Sequence, residues 1–581
     1  MNKDQIVRIL EEIADLLELK GENPFKIRAY RNAARSLLNM EKDIKDVVTD
    51  QTLTSYQGIG PSLADKISSL VLKGRLPYYE KLKRSIPPSL MELLQVQGLG
   101  PKKVQVLYQK LRIRSIAALK KAAAQGKIAK LKGFGEKTQK NILEALERRK
   151  TNLSRHLWWD AMGIAEPILQ KLKKLKCVKK AEIAGSVRRK LETVGDLDFL
   201  VGSHDPKSVM KWFTSQPFVA KVLGQGETKA SIVSKDGMQM DLRVVPVKQF
   251  AFALFYFTGS KEHNIKFREK SIQRGWSMSE YGLETVKKGA PLPFSASKMP
   301  ATEEEIYQIF GLPYIPPEIR ENMGEIEAAA AGKLPRLIEE KDIRGSFHNH
   351  TSATDGRNTL HEMIAAAEKL GWEYIGISDH SKSEFEASGL HEEQLLAQIE
   401  EIHRLNALKT YRPYIFTGLE CNILADGSLD FSDQILKKLD YVIVSVHSSL
   451  QQDEKTMTRR LIRAIEHPLT TMVGHVTGRQ LLQRDPYAVN LSKVIDACIA
   501  NRKIIELNGN PKRLDMDWRY WHAASRKGLL CCINCDAHAV SQLDFIRSGV
   551  NIARKGWLEK KHVINTKPLK EMQKFIARMR N

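Results

Sequence analysis

Cysteine is scarce in this chain, with six among 581 residues, at positions 177, 421, 498, 531, 532 and 535. So few, so unevenly spread, exclude a disulfide framework and set the expectation of a reducing compartment, the cytoplasm. Long apolar runs are lacking too. The most conspicuous, Phe250 to Phe257, falls well short of the ~18 residues that a membrane span needs, so no membrane association is expected. The opening residues Met1-Asn2-Lys3-Asp4 carry charge where a signal peptide would begin its apolar core. No Walker loop is expected at Gly224-Gln225-Gly226-Glu227-Thr228-Lys229, which lacks that spacing. Against these absences, 42% hydrophobic and 28% charged residues describe a core-forming chain. Its length suggests about three or four domains.

Negative charge is short at one end. Residues 1–150 hold 30 Lys and Arg against 16 Asp and Glu, so +14 of the net +24 lies in the first quarter. A basic domain of this kind draws polyanions. Ile6, Leu10, Ile13, Leu16 and Leu17 recur at the spacing of a helix that buries one face. One pattern then occurs three times: Tyr56-Gln57-Gly58-Ile59-Gly60-Pro61, Val96-Gln97-Gly98-Leu99-Gly100-Pro101 and Leu131-Lys132-Gly133-Phe134-Gly135-Glu136. Glycines permit a tight turn, and the amides at the next helix N-terminus favour a phosphate. One copy is more often an ordinary helix connection. Three copies in a basic region, resembling helix-hairpin-helix motifs, point to DNA-backbone binding at Gly58, Gly60, Gly98, Gly100, Gly133 and Gly135.

Beyond residue 155 the pattern becomes strand-like, at Ala181 to Ser186, Asp198 to Val201 and Gln239 to Val245. Gly185-Ser186 precede Gly195-Asp196-Leu197-Asp198. Aspartates at i and i+2 of a strand face the same side, and they repel unless a cation lies between them. Such oxygen donors suit Mg²⁺. Asp241, on a separate strand, can add a third carboxylate, and three carboxylates can hold two ions. An Asp-x-Asp pair alone is more often a solvated strand end. The turn of small residues before it, able to approach a triphosphate closely, shifts the balance.

Gly185-Ser186 with Gly195-Asp196-Leu197-Asp198 resembles the nucleotidyltransferase signature of family X DNA polymerases, the relatives of polymerase beta. Tyr256-Phe257-Thr258-Gly259-Ser260 resembles that family's sugar-binding segment, with Asn264 and Arg268 at the matching spacing. The resemblance implies that Asp196, Asp198 and Asp241 hold Mg²⁺ or Mn²⁺, Asp241 assisting deprotonation of a primer 3′-hydroxyl. It implies that Ser186 and Arg189 contact the triphosphate of a dNTP, with Gly185 and Gly195 allowing close approach. Tyr256, Phe257, Thr258 and Gly259 would then lie against the sugar, and Asn264 and Arg268 would face the minor groove. Lys66, with Lys26 and Tyr30, stands where some relatives carry a Schiff-base lysine that removes 5′-deoxyribose phosphate. Ser62 departs from that pattern, replacing a lysine of the phosphate pocket.

From residue 341 apolar runs alternate with helical spacers, at 374–377, 414–417, 441–444, 471–473, 503–506 and 529–533. This alternation predicts parallel β/α units closing into a barrel. His348, His350, Asp355, His380, Glu420, His447, His475, Asp536 and His538 all fall just after or at the ends of these strands. In a parallel barrel they would share the C-terminal rim. One such histidine is usually unremarkable, whereas nine coincident ligand types point to metals, and the imidazole–carboxylate mixture suits Zn²⁺, Mn²⁺ or Fe. The set resembles the PHP domain, which implies three ions, Mn²⁺ or Zn²⁺, and phosphoester hydrolysis. Cys532-Ile533-Asn534-Cys535 has zinc-knuckle spacing without a second pair, and small core cysteines are expected there. Trp158-Trp159 could stack on a base or pack between domains.

The expected fold is multidomain α and α/β. A helical DNA-binding, lyase-like domain (1–85) and a helix-hairpin-helix fingers-like domain (86–154) precede a nucleotidyltransferase palm (155–245). A thumb-like nucleotide-selection domain (246–315), a linker (316–340) and a PHP barrel (341–575) follow. The expected function is a monomeric repair polymerase that fills short gaps in gapped or nicked DNA, coupled to a metal-dependent 3′–5′ exonuclease. Abasic sites and 3′-phosphates are further candidate substrates. Two other readings are a DNA-binding protein whose PHP domain acts on small phosphate esters, and a non-catalytic repair scaffold.

Overall fold

The computed structural model describes all residues except 1, 2, 39–43, 57, 95, 97, 98, 132, 137, 141, 144, 145, 147–154, 288–290, 296, 297 and 581. Gly98 and the domain boundary expected at 154 therefore lie outside the described residues. The chain divides into two compact units, Met1–Leu153 and Ser154–Asn581. Among the described residues no helix is long and apolar enough to cross a membrane.

The first unit is helical. Helix Lys3–Lys20 buries Ile6, Leu10, Ile13, Leu16 and Leu17 in one core, as the helical spacing predicts. Helices Pro61–Lys73 and Pro101–Leu111 start from Gly60 and Gly100 as N-caps, each with proline in the first turn, where its fixed φ suits the helix and its missing N–H is not needed.

The second unit holds a mixed sheet, a helical subdomain and a barrel. The sheet comprises β1 (Val178–Ile183), β2 (Asp196–Ser203), β3 (Val219–Gln225), β4 (Lys229–Ser234) and β5 (Gln239–Val245), in the order β1-β2-β5-β4-β3. Only β2 and β5 run parallel. Helix Phe250–Thr258 follows, apolar nearly all round and buried from Phe250 to Phe255, as such a helix must be. It packs with helix Lys261–Gln273, the hairpin β6 (Trp276–Ser279) and β7 (Gly282–Thr285), and helix Glu303–Ile309 in an aromatic core. The stretch 316–340, expected as a linker, is built into this core through Ile319 and Ile326. Arg320 is fully buried there, donating to Glu303 Oε1 at 2.6 Å and lying over the rings of Phe255, Tyr307 and Tyr314. Sequence reading missed this because an Ala-rich stretch after Pro-rich text looks like a connector, and the buried arginine that pins it has no periodic signature.

The barrel runs β8 (Gly345–Ser346), β9 (Tyr374–Ile377), β10 (Tyr414–Asn422), β11 (Tyr441–Ser445), β12 (Met472–Val473), β13 (Ile504–Asn508) and β14 (Cys531–Asn534), all parallel and in chain order. It nearly closes: Asn349 bridges Ala537 in parallel, and His350 N donates to Ala537 O at 2.8 Å. Cys531, Cys532 and Cys535 are fully buried in and beside β14, the core role expected for them. Two glycines make room inside. Tyr441 stands in the barrel with its hydroxyl donating to Phe347 O, and a Cβ at Gly418 would meet its ring at 2.1 Å, one at Gly376 its hydroxyl at 2.4 Å. Gly418→Ala is therefore expected to destabilise the barrel by about 1–3 kcal/mol, the usual range for overpacking. A lowered denaturant midpoint with an unchanged slope checks this.

Candidate active sites

In the mixed sheet, the parallel register places Asp198 directly opposite Asp241, and Asp196 faces the same side two residues earlier. Turn Gly185–Arg188 closes over them. Gly185 has φ +61, and a Cβ there would lie 2.1 Å from Asp198 Oδ2, so the backbone approaches the carboxylate as only glycine allows. Burial, with the charges of Asp196 and Asp241, raises the Asp198 carboxyl to about 7. Asp196 is raised as well, by burial and then by Asp241. Lys229 Nζ, 3.1 Å from Asp241 Oδ2, supplies the nearest positive charge. Ala184, Lys229, Arg243 and Phe257 line the cleft around Asp198 and Asp241. Crowded, partly desolvated carboxylates open to a cleft are the donor set for hard divalent cations.

On the barrel rim the nine expected residues come together. Glu420, fully buried, has Oε1 2.8 Å from His475 Nε2 and 3.2 Å from His447 Nε2. Its Oε2 lies 3.0 Å from His380 Nδ1, 3.2 Å from His348 Nε2 and 3.6 Å from His350 Nε2. Asp536 Oδ1 lies 3.4 Å from His350 Nε2 and 3.7 Å from His348 Nε2. Asp355 reaches His380 at 3.6 Å and His538 at 3.3 Å. Among the described residues these form four overlapping sets, each with its candidate ligand atoms within 4.8 Å of one another: His350, Asp355, His380 and His538; His348, Glu420 and His475; His348, His350 and Asp536; His380, Glu420 and His447. His348 Nε2, both ring nitrogens of His350, His380 Nδ1 and Glu420 Oε2 are buried without a hydrogen-bond partner. Buried polar atoms are rarely left so, and a convergent group of them fits divalent cations. Burial, with His538 and His380 beside it, pushes His350 down to about 4, keeping its imidazole neutral. Against burial, Glu420 and Asp355 raise His380 to about 9, so ligation there must expel a proton.

The first unit brings a third group of residues together. Tyr30 stacks on Tyr78 with ring centroids 6.4 Å apart, and Lys26 and Lys66 each place Nζ 5.7 Å from the Tyr78 ring centroid. Lys66 Nζ also donates to Ser62 O and Oγ at 2.9 and 2.7 Å. Gly58, Gly133 and Gly135 have φ of +85, +88 and +68, a backbone that turns tightly between helices. Among the described residues, no neighbour lies within 4 Å of a Cβ built at Gly60, Gly100, Gly133 or Gly135, so these positions have open space beside them.

Family models match a helix-hairpin-helix domain over residues 1–76 and a SAM-like helix-hairpin-helix tandem over 90–148. They also match a DNA polymerase beta thumb over 253–321 and a PHP domain over 346–510. The chain is 38% identical over 581 residues, the full length of both proteins, to the DNA polymerase/3′-5′ exonuclease PolX of Bacillus subtilis (strain 168). It belongs to the family X DNA polymerases that carry a PHP domain. Two likenesses are partial. DNA polymerase lambda of Rattus norvegicus is 25% identical over 342 residues, covering 54% of this chain and 56% of that protein. The probable phosphatase Teth514_1060 of Thermoanaerobacter sp. (strain X514) is 27% identical over 231 residues, covering 38% of this chain and 89% of that one.

The remaining polymerase residues divide in two. Phe257 lines the cleft, with Arg243 over its ring at 4.7 Å and Tyr256 edge-on at 5.3 Å. Asn264 donates to Tyr256 O at 2.7 Å while its Oδ1 is buried unpaired, and Arg268, one turn along the same helix, is exposed. Arg189 is committed elsewhere, donating to Thr258 O and to Glu321 Oε1 at 2.5 and 3.0 Å beside Gly259. Arg188 donates to Thr258 Oγ1 at 2.5 Å. Ser186 lies in the closing turn, and Gly195, partly exposed, immediately precedes Asp196. Trp158 and Trp159 pack: the first donates to Val187 O at 2.8 Å, the second meets Phe545 edge-on at 5.4 Å.

The PHP rim also holds residues that sequence reading missed. Glu506, fully buried, lies 2.7 Å from His348 Nδ1 and so orients that ring. Arg513 Nε lies 3.0 Å from Asp536 Oδ2, and Asn422 Oδ1 contacts His447 Nδ1. Glu506 ends an apolar run at the same rim, and that position was the available signal. Glu506→Gln is expected to lower rim metal affinity about 10–100-fold and leave primer extension intact, as Mn²⁺ titration and extension assays would record. At the palm, Asp198 ionises near 7 in the ion-free protein, so Mn²⁺ affinity there should fall about tenfold per pH unit below that value and level off above it. Since the folded carboxyl lies above its unfolded value of about 3.9, the Asp198 contribution to ion-free stability is full below about pH 4 and declines as pH rises towards 7. Binding curves at pH 5.5, 6.5 and 7.5 in a His348→Ala, His350→Ala background check the first part, and Asp198→Asn should lessen the decline in stability, Asp196 retaining its own share.

Proposed function

We infer that this protein is a DNA polymerase that fills short gaps in gapped or nicked DNA during repair, and that its PHP domain trims 3′ ends as a 3′–5′ exonuclease. The observation that carries the reading is that a cluster of three aspartates and a separate imidazole–carboxylate cluster occur together in a chain similar to the Bacillus enzyme from end to end. Divalent ions, Mg²⁺ or Mn²⁺ at the palm and Mn²⁺ or Zn²⁺ at the rim, supply charge neutralisation and an activated oxygen nucleophile when bound.

The chain's own residues do the rest. Asp196, Asp198 and Asp241 hold the palm ions, and Asp241 accepts the proton of the primer 3′-hydroxyl. The turn at Gly185 and Ser186 receives the triphosphate, Tyr256 and Phe257 flank the sugar, and Asn264 and Arg268 face the minor groove. Gly58, Gly60, Gly98, Gly100, Gly133 and Gly135 contact the DNA backbone, with Lys66 as a phosphate contact. On the rim, His348, His350, Asp355, His380, Glu420, His447, His475, Asp536 and His538 hold the ions, and Glu506 and Arg513 orient His348 and Asp536. The chain works as a monomer in the cytoplasm.

The likeness to a probable phosphatase favours a second reading, in which the PHP domain acts on small phosphate esters. A 5′-labelled primer on gapped DNA with Mn²⁺, with and without dNTPs, separates the two. Asp196→Asn with Asp198→Asn should lower extension by about a hundredfold or more while shortening continues. His348→Ala with His350→Ala should do the reverse. A rim variant that shortens primers at the wild-type rate but has lost turnover of p-nitrophenyl phosphate would take the exonuclease away from the PHP rim and favour the second reading.

A further inference from the structure

The polymerase palm does not end at its own sheet. Between the turn that closes over Asp198 and the strand that carries Asp196 runs a short loop, Arg189 to Glu192, and both of its ends are held by residues of the PHP barrel. Helix Ile546–Lys555 packs into the barrel core through Ile546, Val550, Ile552 and Ala553, yet its last residue, Lys555, points away from that core. Its side chain is fully buried. Nζ donates to Arg189 O at 3.0 Å, to Glu318 O at 3.2 Å and to Glu321 Oε1 at 2.6 Å. Glu321 Oε1 also accepts from Arg189 Nε, and Arg189 Nη1 donates to Thr258 O, where a Cβ at Gly259 would lie 3.2 Å from it. At the other end, Trp518 carries Lys555 Nζ over its ring at 4.5 Å and donates its indole N–H to Glu192 Oε2 at 3.0 Å. Arg479, also from the barrel, lies 3.5 Å from Glu192 Oε1. Within the loop Lys190 has φ +59, uphill for a residue with a Cβ and stable only where packing enforces it.

We propose that Lys555 and Trp518, on the exonuclease domain, are positioning residues of the polymerase site. They fix the Arg189–Glu192 loop, and through it the Gly185–Arg188 turn and Asp196, in the geometry that receives a dNTP. A plain fastening role would need only some contact between domains. Here a buried ammonium donates to a backbone carbonyl of one loop and an indole donates to that loop's carboxylate, while Glu318 and Glu321, the latter also paired with Arg189 of the loop, take the ammonium's other two bonds. Neither residue contacts the rim residues gathered around Glu420.

This inference rests on the polymerase reading above, and the experiment keeps the two apart. Full-length Lys555→Met and Trp518→Phe chains are compared with wild type for dNTP KM and kcat on gapped primer, for shortening without dNTPs, and for thermal unfolding. Methionine keeps most of the lysine stem, and phenylalanine keeps a ring under Lys555 but offers Glu192 no N–H. The expected result is a dNTP KM raised about tenfold for Lys555→Met and about threefold for Trp518→Phe, with shortening within about twofold of wild type. An unchanged dNTP KM alongside a lowered unfolding temperature in both variants would reduce the contacts to fastening and overturn the proposal. Should Lys555→Met fail to fold, Trp518→Phe decides by the same criterion. A wild-type chain that shortens primers but never extends them would overturn the polymerase reading, and this inference with it.

Discussion

Glu420 is a carboxylate with no exposure to water, and an ionised side chain in that position costs several kcal/mol unless compensated. The barrel is organised around that compensation. Imidazoles from four different strand ends point their edges at its two oxygens, and the parallel, in-order topology brings those ends to one rim. The imidazoles hold the carboxyl well below the usual range despite its burial. What remains unpaired on the ring nitrogens is the electron-pair inventory that a cluster of divalent ions would take up.

The palm meets the same electrostatic problem by a different route. Its carboxylates are drawn together by strand register, and their mutual repulsion with partial burial shows in the raised Asp198. Lys229 offers one compensating charge from the neighbouring strand β4 and is half exposed. A site whose anionic groups are crowded and whose ion-paired lysine is half exposed is poised for hard divalent ions.

Joining the two sites is an interface of buried charge. Lys555, Glu321, Arg189, Glu192 and Arg479 would each be costly to bury alone, and together they satisfy one another across the domain boundary. Breaking any one leaves another unpaired in low dielectric, so the palm and barrel are held in one arrangement. A covalent linker alone would not provide this, and it gives a physical reason for polymerase and exonuclease chemistry to share a chain.

Much of this is legible in the amino-acid sequence. Helical spacing at Ile6 to Leu17, the alternation of apolar runs after residue 341 and the clustering of ligand types at their ends are local patterns, and local patterns survive in one dimension. So do the Asp-x-Asp pair and the glycines that must approach it. Contacts between residues far apart in the chain were not legible. Arg189 was read as a triphosphate contact because its neighbours match a motif, yet its guanidinium is spent on Thr258 and Glu321. Glu506 looked like the end of a strand until His348, 158 residues away, was found beside it. The 316–340 stretch read as a connector because nothing in its text announces that Arg320 will be buried among three aromatic rings. The sequence by itself determined which chemistries the chain can carry, because ligand types and backbone freedom belong to single residues and short spacings. Only the tertiary structure decided which charges neutralise which, because pairing depends on distance through space, and burial sets how much each pairing matters.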